Sequence, residues 1–165
     1  MIIPYESELS VVKGAVIFGH RPDIISERIS RYTYGFSKRK RFDSKIHDHD
    51  HLELINGEEK CNSVFEPIVR RYERIPFGKR IASKAKTKPG GDEFFTLRIY
   101  QSEKENPVYT DEDGCSILGE IKIKKADPSA TETIKVVLKF GETEINVRIV
   151  EKDHNTETRG VIEMI

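Results

Sequence analysis

The chain reads as mainly β, an antiparallel sandwich of about eight short strands preceded by one N-terminal α-helix. Three observations predict this. Apolar residues recur at every second position in several runs, as in Phe95, Leu97 and Ile99 or Ile134, Val136, Leu138 and Phe140. Turn signals such as Asn56-Gly57, Asp113-Gly114 and Gly141 separate those runs. Helical spacing is sustained in one place only, residues 7–19.

That first segment, SELSVVKGAVIFG, has Ser7 to cap its start and Gly19 to end it. Leu9, Val12, Ala15, Val16 and Phe18 form an apolar stripe broader than a small sandwich needs, which predicts packing against further protein. Arg21-Pro22-Asp23 breaks the run. Residues 29–36 (ISRYTYGF) form the first strand, and the polar residues 37–51 an extended loop. Residues 52–55 and 60–65 flank Asn56-Gly57 as a hairpin. Residues 66–75 follow as a strand that holds Pro67 at an edge or at its start. Residues 80–86 are a polar strand, and 88–92 (KPGGD) a turn. Two runs within 93–123 make the best-patterned strand pair, the second with Ile117, Gly119, Ile121 and Ile123 on one face. After a loop at 126–129, residues 134–140 and 145–149 alternate as a hairpin about Gly141. A turn at 153–158 leads to a last strand at 161–165.

At 165 residues the chain suffices for one sandwich-sized domain with a core. Lys+Arg and Asp+Glu are balanced at 28 each, which argues against a general nucleic-acid or membrane-surface binder. Two cysteines, Cys61 and Cys115, make no disulfide framework, and the N-terminus carries no secretory signal. The expectation is a cytoplasmic protein.

Few constellations suggest chemistry. His47, His49 and His51 alternate with Asp48 and Asp50, so an extended segment would project three imidazoles to one side as weak metal candidates. A solvated loop is the plainer alternative. Lys38-Arg39-Lys40-Arg41 is a basic cluster without interleaved stacking residues, read as a solvated hairpin tip. No phosphate cradle or nucleophile elbow is present, so no catalytic residue is expected, and the chain reads as no enzyme.

Three segments in order resemble a known family. IVRRYERIP (68–76), FFTLRIYQSEKENPVYTDEDGCSILGEIKI (94–123) and TIKVVLKFGETEINVRIVEKDHNTE (133–157) are similar to successive parts of the substrate-binding β-domain of 70-kDa heat-shock proteins. SVVKGAVIFG (10–19) looks like the last helix of that family's nucleotide-binding domain. Residues 2–25 with Thr33-Tyr34-Gly35 look most like its atypical 12A/12B group. The departures are Ser102-Glu103-Lys104 in place of a typical "GER", residues 21–30 in place of the acidic-leucine linker, and a longer charged loop at 37–52. The resemblance to the 12A/12B group implies that no helical lid is expected.

The resemblance divides the chain into residues 1–27, a remnant nucleotide-binding-domain helix with linker, and residues 28–165, the β-domain. It implies chaperone-like binding of extended apolar peptides or unfolded segments in a groove with a central pocket. By position, Phe36, Phe95 and Leu97 would line that pocket, with Ala82 or Ala85 added from the strand before the turn. Phe95 stands where typical members carry a smaller aliphatic residue. A ring there either fills the pocket, leaving a non-client interaction or structural module, or selects smaller clients. No cofactor is expected in this chain, since ATP is implied only for the full-length family. Met1 is expected to reflect a partial gene model or a truncated relative, and the helix stripe, without its partner, to favour self-association.

Overall fold

The computed structural model describes residues 7–20, 26–86, 93–125, 127, 129, 133–141, 143–151 and 157–164. The elements in chain order are α1 (Ser7–His20), β1 (Glu27–Ile29), β2 (Thr33–Arg41), β3 (Leu52–Ile55), β4 (Glu58–Val69) and β5 (Arg74–Pro76). There follow β6 (Arg80–Lys86), β7 (Phe94–Ser102), β8 (Cys115–Lys124), β9 (Thr133–Phe140), β10 (Glu144–Glu151) and β11 (Glu157–Glu163). All described pairings are antiparallel, in sheets ordered β3-β4-β2-β7-β8, β11-β10-β9-β6 and the small ribbon β1-β5.

The four-stranded sheet follows from period-two alternation. Ile134, Val136, Leu138 and Phe140 on β9 and Ile145, Val147 and Ile149 on β10 are almost wholly buried. Their neighbours Lys135, Lys139 and Arg148 face outward. Each such burial stabilises by about 1.5–3 kcal/mol. From the five-stranded sheet, Tyr34, Phe36, Val69, Leu97, Ile99 and Ile123 join the same cluster, so one core fills the space between the sheets. This is a sandwich.

The two sheets also meet laterally, where β8 lies against β11. A Cβ on Gly119 would lie 2.8 Å from Ile162 Cγ2, and one on Gly160 would lie 2.7 Å from Ile121 Cδ1. The two glycines therefore receive each other's isoleucine neighbours.

Several expectations are corrected. The first strand starts at Thr33 and continues through the basic cluster to Arg41, because Lys38, Lys40 and Arg41 pair in register with Val64, Cys61 and Lys60 of β4. Residues 37–41 are thus strand instead of loop, and Ile29 belongs to β1. The segments expected at 60–65 and 66–75 are one strand as far as Val69, followed by a turn and β5. Pro67 is tolerated because the β2–β4 register shifts between Tyr34 and Gly35, and a bulge relaxes the ladder where its N–H is absent. The hairpin at Asn56-Gly57 is present, both residues having positive φ (52° and 78°) as a type I′ turn requires.

A bulge between Ile99 and Tyr100 pairs Tyr100 with Ile117 and leaves Leu118 extra. Ile117 is consequently 51% exposed while Leu118 packs on the core, so the expected single face holds only from Gly119 onward. The last strand begins at Glu157, earlier than the expected 161. The turn expected at 88–92 lies outside the described residues, as does most of that expected at 153–158. Helix α1 runs one residue past Gly19, and Ser7 is its first helical residue. Its Leu9, Val11, Val12, Val16 and Ile17 are exposed.

Candidate functional site

Strand pairing brings three of the five sequence-named pocket residues onto one surface. Phe36 of β2 sits opposite Ile99 of β7. Leu97 and Phe95 precede Ile99 at two-residue intervals, opposite Ile121 and Ile123 of β8. All three therefore face the inner side of the five-stranded sheet. Phe36 and Leu97 are each 6% exposed within the core cluster, whereas Phe95 is half-buried at its margin and its neighbour Phe94 is 49% exposed.

The other two come from the opposite sheet. Ala82 pairs with Val137 and is exposed on the outer face. Ala85 pairs with Ile134, whose side chain is buried, and the side chain of Ala85 itself lies outside the described residues. The backbone register thus puts these two alanines on opposite faces of β6.

The histidine segment is not extended. Residues 49–51 form a short 3-10 helix, capped by the Asp48 side chain accepting from the Asp50 N–H. His47 Nδ1 accepts from the Asp43 N–H at 2.9 Å, and the His47 and His49 rings pack against Phe42. His51 instead stacks on Tyr109 at 3.8 Å and lies 3.1 Å from Asp111 through Nε2. The alternation that would align the three imidazoles requires strand geometry, and this segment lacks it. No group of three potential metal ligands occurs among the described residues.

What holds His51 there is the β7–β8 connection, which continues the edge begun by β3. Tyr109 bridges to Val64, the Phe65 N–H donates to Val108 O, and the Thr110 N–H donates to Ser63 O. Thr33, fully buried, donates to Lys104 O and accepts from the Arg71 N–H, tying this connection to the start of β2. Cys61 is buried and Cys115 half-buried, and burial pushes both thiols up from their ordinary values. Such thiols stay protonated and are poor nucleophiles.

The basic cluster is not a hairpin tip. Lys38 and Lys40 both reach Glu66, at 3.3 and 2.9 Å, and Arg39 Nε donates to Glu53 at 2.8 Å. The hydrogen bond from Lys40, joined by Lys38 and outweighing partial burial, holds the Glu66 carboxyl below its ordinary value.

A cavity of about 270 Å³ lies where the inner face ends beside the β1–β5 ribbon, lined by Arg28, Tyr32, Tyr34, Ile75, Phe140 and Met164 among others. Burial, reinforced by Tyr32, pushes the Tyr34 phenol up, so it stays neutral in that wall. None of the five pocket residues named from sequence lines this cavity. Its walls come from four separate segments, which no local sequence signal brings together.

No family model matches the chain. Human heat shock 70 kDa protein 12B is 26% identical over 176 residues, covering all of this chain and 26% of that protein. The chain is thus similar along its length to atypical 70-kDa heat-shock proteins. Human heat shock 70 kDa protein 12A is likewise 26% identical over 156 residues, covering 92% of this chain and 23% of that protein. The mouse 12A protein matches to the same extent. The chain thus spans about a quarter of the length of these curated relatives. No described helix is long and apolar enough to cross a membrane.

Proposed function

We propose that this β-sandwich binds extended apolar polypeptide segments in the manner of a chaperone substrate-binding domain. The observation that carries the reading is Phe95. It stands at the margin of the inner face in line with Phe36 and Leu97, half-buried and next to the exposed Phe94. An apolar side chain presented by a bound peptide would extend the row beyond Phe95. The resemblance along the chain to chaperone-family proteins supports the same reading. Ala85, on the strand that pairs with the buried Ile134, would approach from the facing sheet. The reading assigns no catalytic step and no bound nucleotide to this chain; coupling to ATP would belong to a full-length protein. A cytoplasmic setting fits such a role.

A second reading is favoured by the 6% exposure of Phe36 and Leu97, which leaves both side chains in contact with core. On that reading the pocket is filled from within, and the sandwich is an interaction or structural module. An array of short Leu-centred peptides separates the two. Peptide binding by the wild-type chain, weakened about tenfold by Phe95→Asp, is the result expected. Uniform failure of the array, with a native thermal transition retained, would remove the first reading and leave the second.

A further inference from the structure

The cavity beside the β1–β5 ribbon is apolar with a cationic side. Tyr34, Phe140, Ile75 and Met164 form much of its wall, and the rings of Tyr34 and Phe140 tilt against each other with centroids 6.2 Å apart. Ile29 and Phe77 also line it and are exposed, so its rim is apolar as well. The charged lining residues are Arg28 and Arg31, and no carboxylate lines it among the described residues. Arg31 is exposed, lies over the Tyr32 ring at 5.5 Å and has no ion pair among the described residues. At about 270 Å³ the space falls just below the roughly 300–1,000 Å³ of ordinary ligand pockets, a size that suits a small molecule.

The same wall holds an unused donor. Tyr34 is only 5% exposed, and its hydroxyl makes no hydrogen bond among the described residues. Burial keeps the phenol neutral, so it retains a proton to donate. A buried hydroxyl without a partner is costly and calls for a physical reason. Arg31 acts on this phenol electrostatically, so the cation and the unused donor lie near each other. Hydrogen bonds fix the backbone around them. The Ser30 N–H donates to Glu73 O, the Tyr72 N–H donates to Ser30 O, and Ser30 Oγ donates to Tyr32 O. Arg31 stands between these anchors, so little backbone order has to be gained on binding.

We propose that this cavity binds a small aromatic carboxylate, with its ring against Tyr34, Phe140 and Met164 and its carboxylate accepting from Arg31 and the Tyr34 hydroxyl. Aromatic walls pair with an inserted ring edge to face or offset. A guanidinium and a neutral phenol are both donors to an anion, and such charge-assisted bonds are the stronger kind. A neutral apolar ligand would leave the phenol unpaired, and a cation would face Arg31. The site shares no residue with the row of Phe36, Phe95 and Leu97 and does not depend on the groove reading.

The test uses the whole chain, labelled for NMR, with 3-phenylpropionate as probe and 3-phenylpropionamide as its neutral counterpart. The probe is expected to shift the backbone N–H signals of Arg31, Tyr34, Phe77 and Gly141, not those of Phe95 and Leu97, and to bind less tightly as salt is added. The neutral counterpart should bind about tenfold more weakly. Arg31→Gln should weaken the probe about tenfold and its neutral counterpart little, whereas Lys45→Gln, the same charge change in a loop, should alter neither. Tyr34→Phe should weaken the probe about fivefold while the thermal midpoint holds or rises, since the hydroxyl it removes has no partner among the described residues. Octanoate, similar in size but with more bonds to immobilise, should bind more weakly than the probe. The proposal is overturned if the probe at about 10 mM shifts none of the four cavity signals. It also falls if the neutral counterpart or octanoate binds as tightly, if Arg31→Gln and Lys45→Gln act alike, or if Tyr34→Phe binds the probe as the wild type does.

Discussion

The two sheets of this sandwich contribute to one core by different means. The four-stranded sheet is regular: β9 pairs with β6 and with β10 without a register shift, and buried and exposed residues alternate along both central strands. The five-stranded sheet is interrupted, with register shifts in the β2–β4 and β7–β8 ladders, a proline in β4, and Ser63 at φ 54°. It is also the sheet whose margin carries the half-buried Phe95 and the β7–β8 connection with its His51–Tyr109 stack. Bulges redirect side chains and end pairings, so the regular sheet acts as a fixed floor, and the interrupted one positions the features that differ from plain core.

The comparison is broken most severely by emptying the floor. Leu138→Ala, at a 1% exposed position, is expected to cost about 2–5 kcal/mol in urea unfolding, and Leu97→Ala, at 6%, to fall toward the lower end of that range. A Leu97→Ala loss larger than that of Leu138→Ala would show that the interrupted sheet is packed as rigidly as the regular one.

An intermediate effect belongs to the lateral contact. Gly119→Ala drives a methyl group into Ile162 and is expected to destabilise by about 1–3 kcal/mol, with Ile162→Val in the same chain restoring part of the loss. Strict additivity of the two substitutions would contradict the contact.

The smallest effect is electrostatic. Glu66 has its carboxyl pKa held below the ordinary 4.5 by Lys40 and Lys38. Its contribution is therefore present above the unfolded value and lost as pH falls through the folded one. Partial exposure limits it to less than about 1 kcal/mol. Glu66→Gln should lower stability at neutral pH and flatten the acid limb, and an unchanged acid limb would remove Glu66 from it.

How much could be read from the sequence follows the same division. Residues 134–140 and 145–149 alternate without interruption, so their strands, their hairpin and their buried members were all legible. The Asn56-Gly57 turn was legible for a local reason, the φ > 0 requirement that both residues meet. Residues 37–41 were not, because four consecutive cations hide a strand whose outward charges are matched by Glu66 and Glu53, far away in sequence. Ile117 was misplaced because a bulge shifts the period by one residue, and a bulge carries no fixed residue signature. Phe36, Phe95 and Leu97 share a face as their spacing implied, but the extent to which the core covers each depends on the facing sheet. The histidines misled because alternation implies a common side only in a strand.

The reciprocal fit of Gly119 under Ile162 and Gly160 under Ile121 has a mechanical consequence. One long side of the sandwich is pinned by interlocked backbone and side chain, while β6, at the other end of its sheet, has no strand beyond it among the described residues. A structure fastened along one side and free along the other opens like a book, about its spine. Motions that part the sheets are therefore expected to swing β6 outward more than β11.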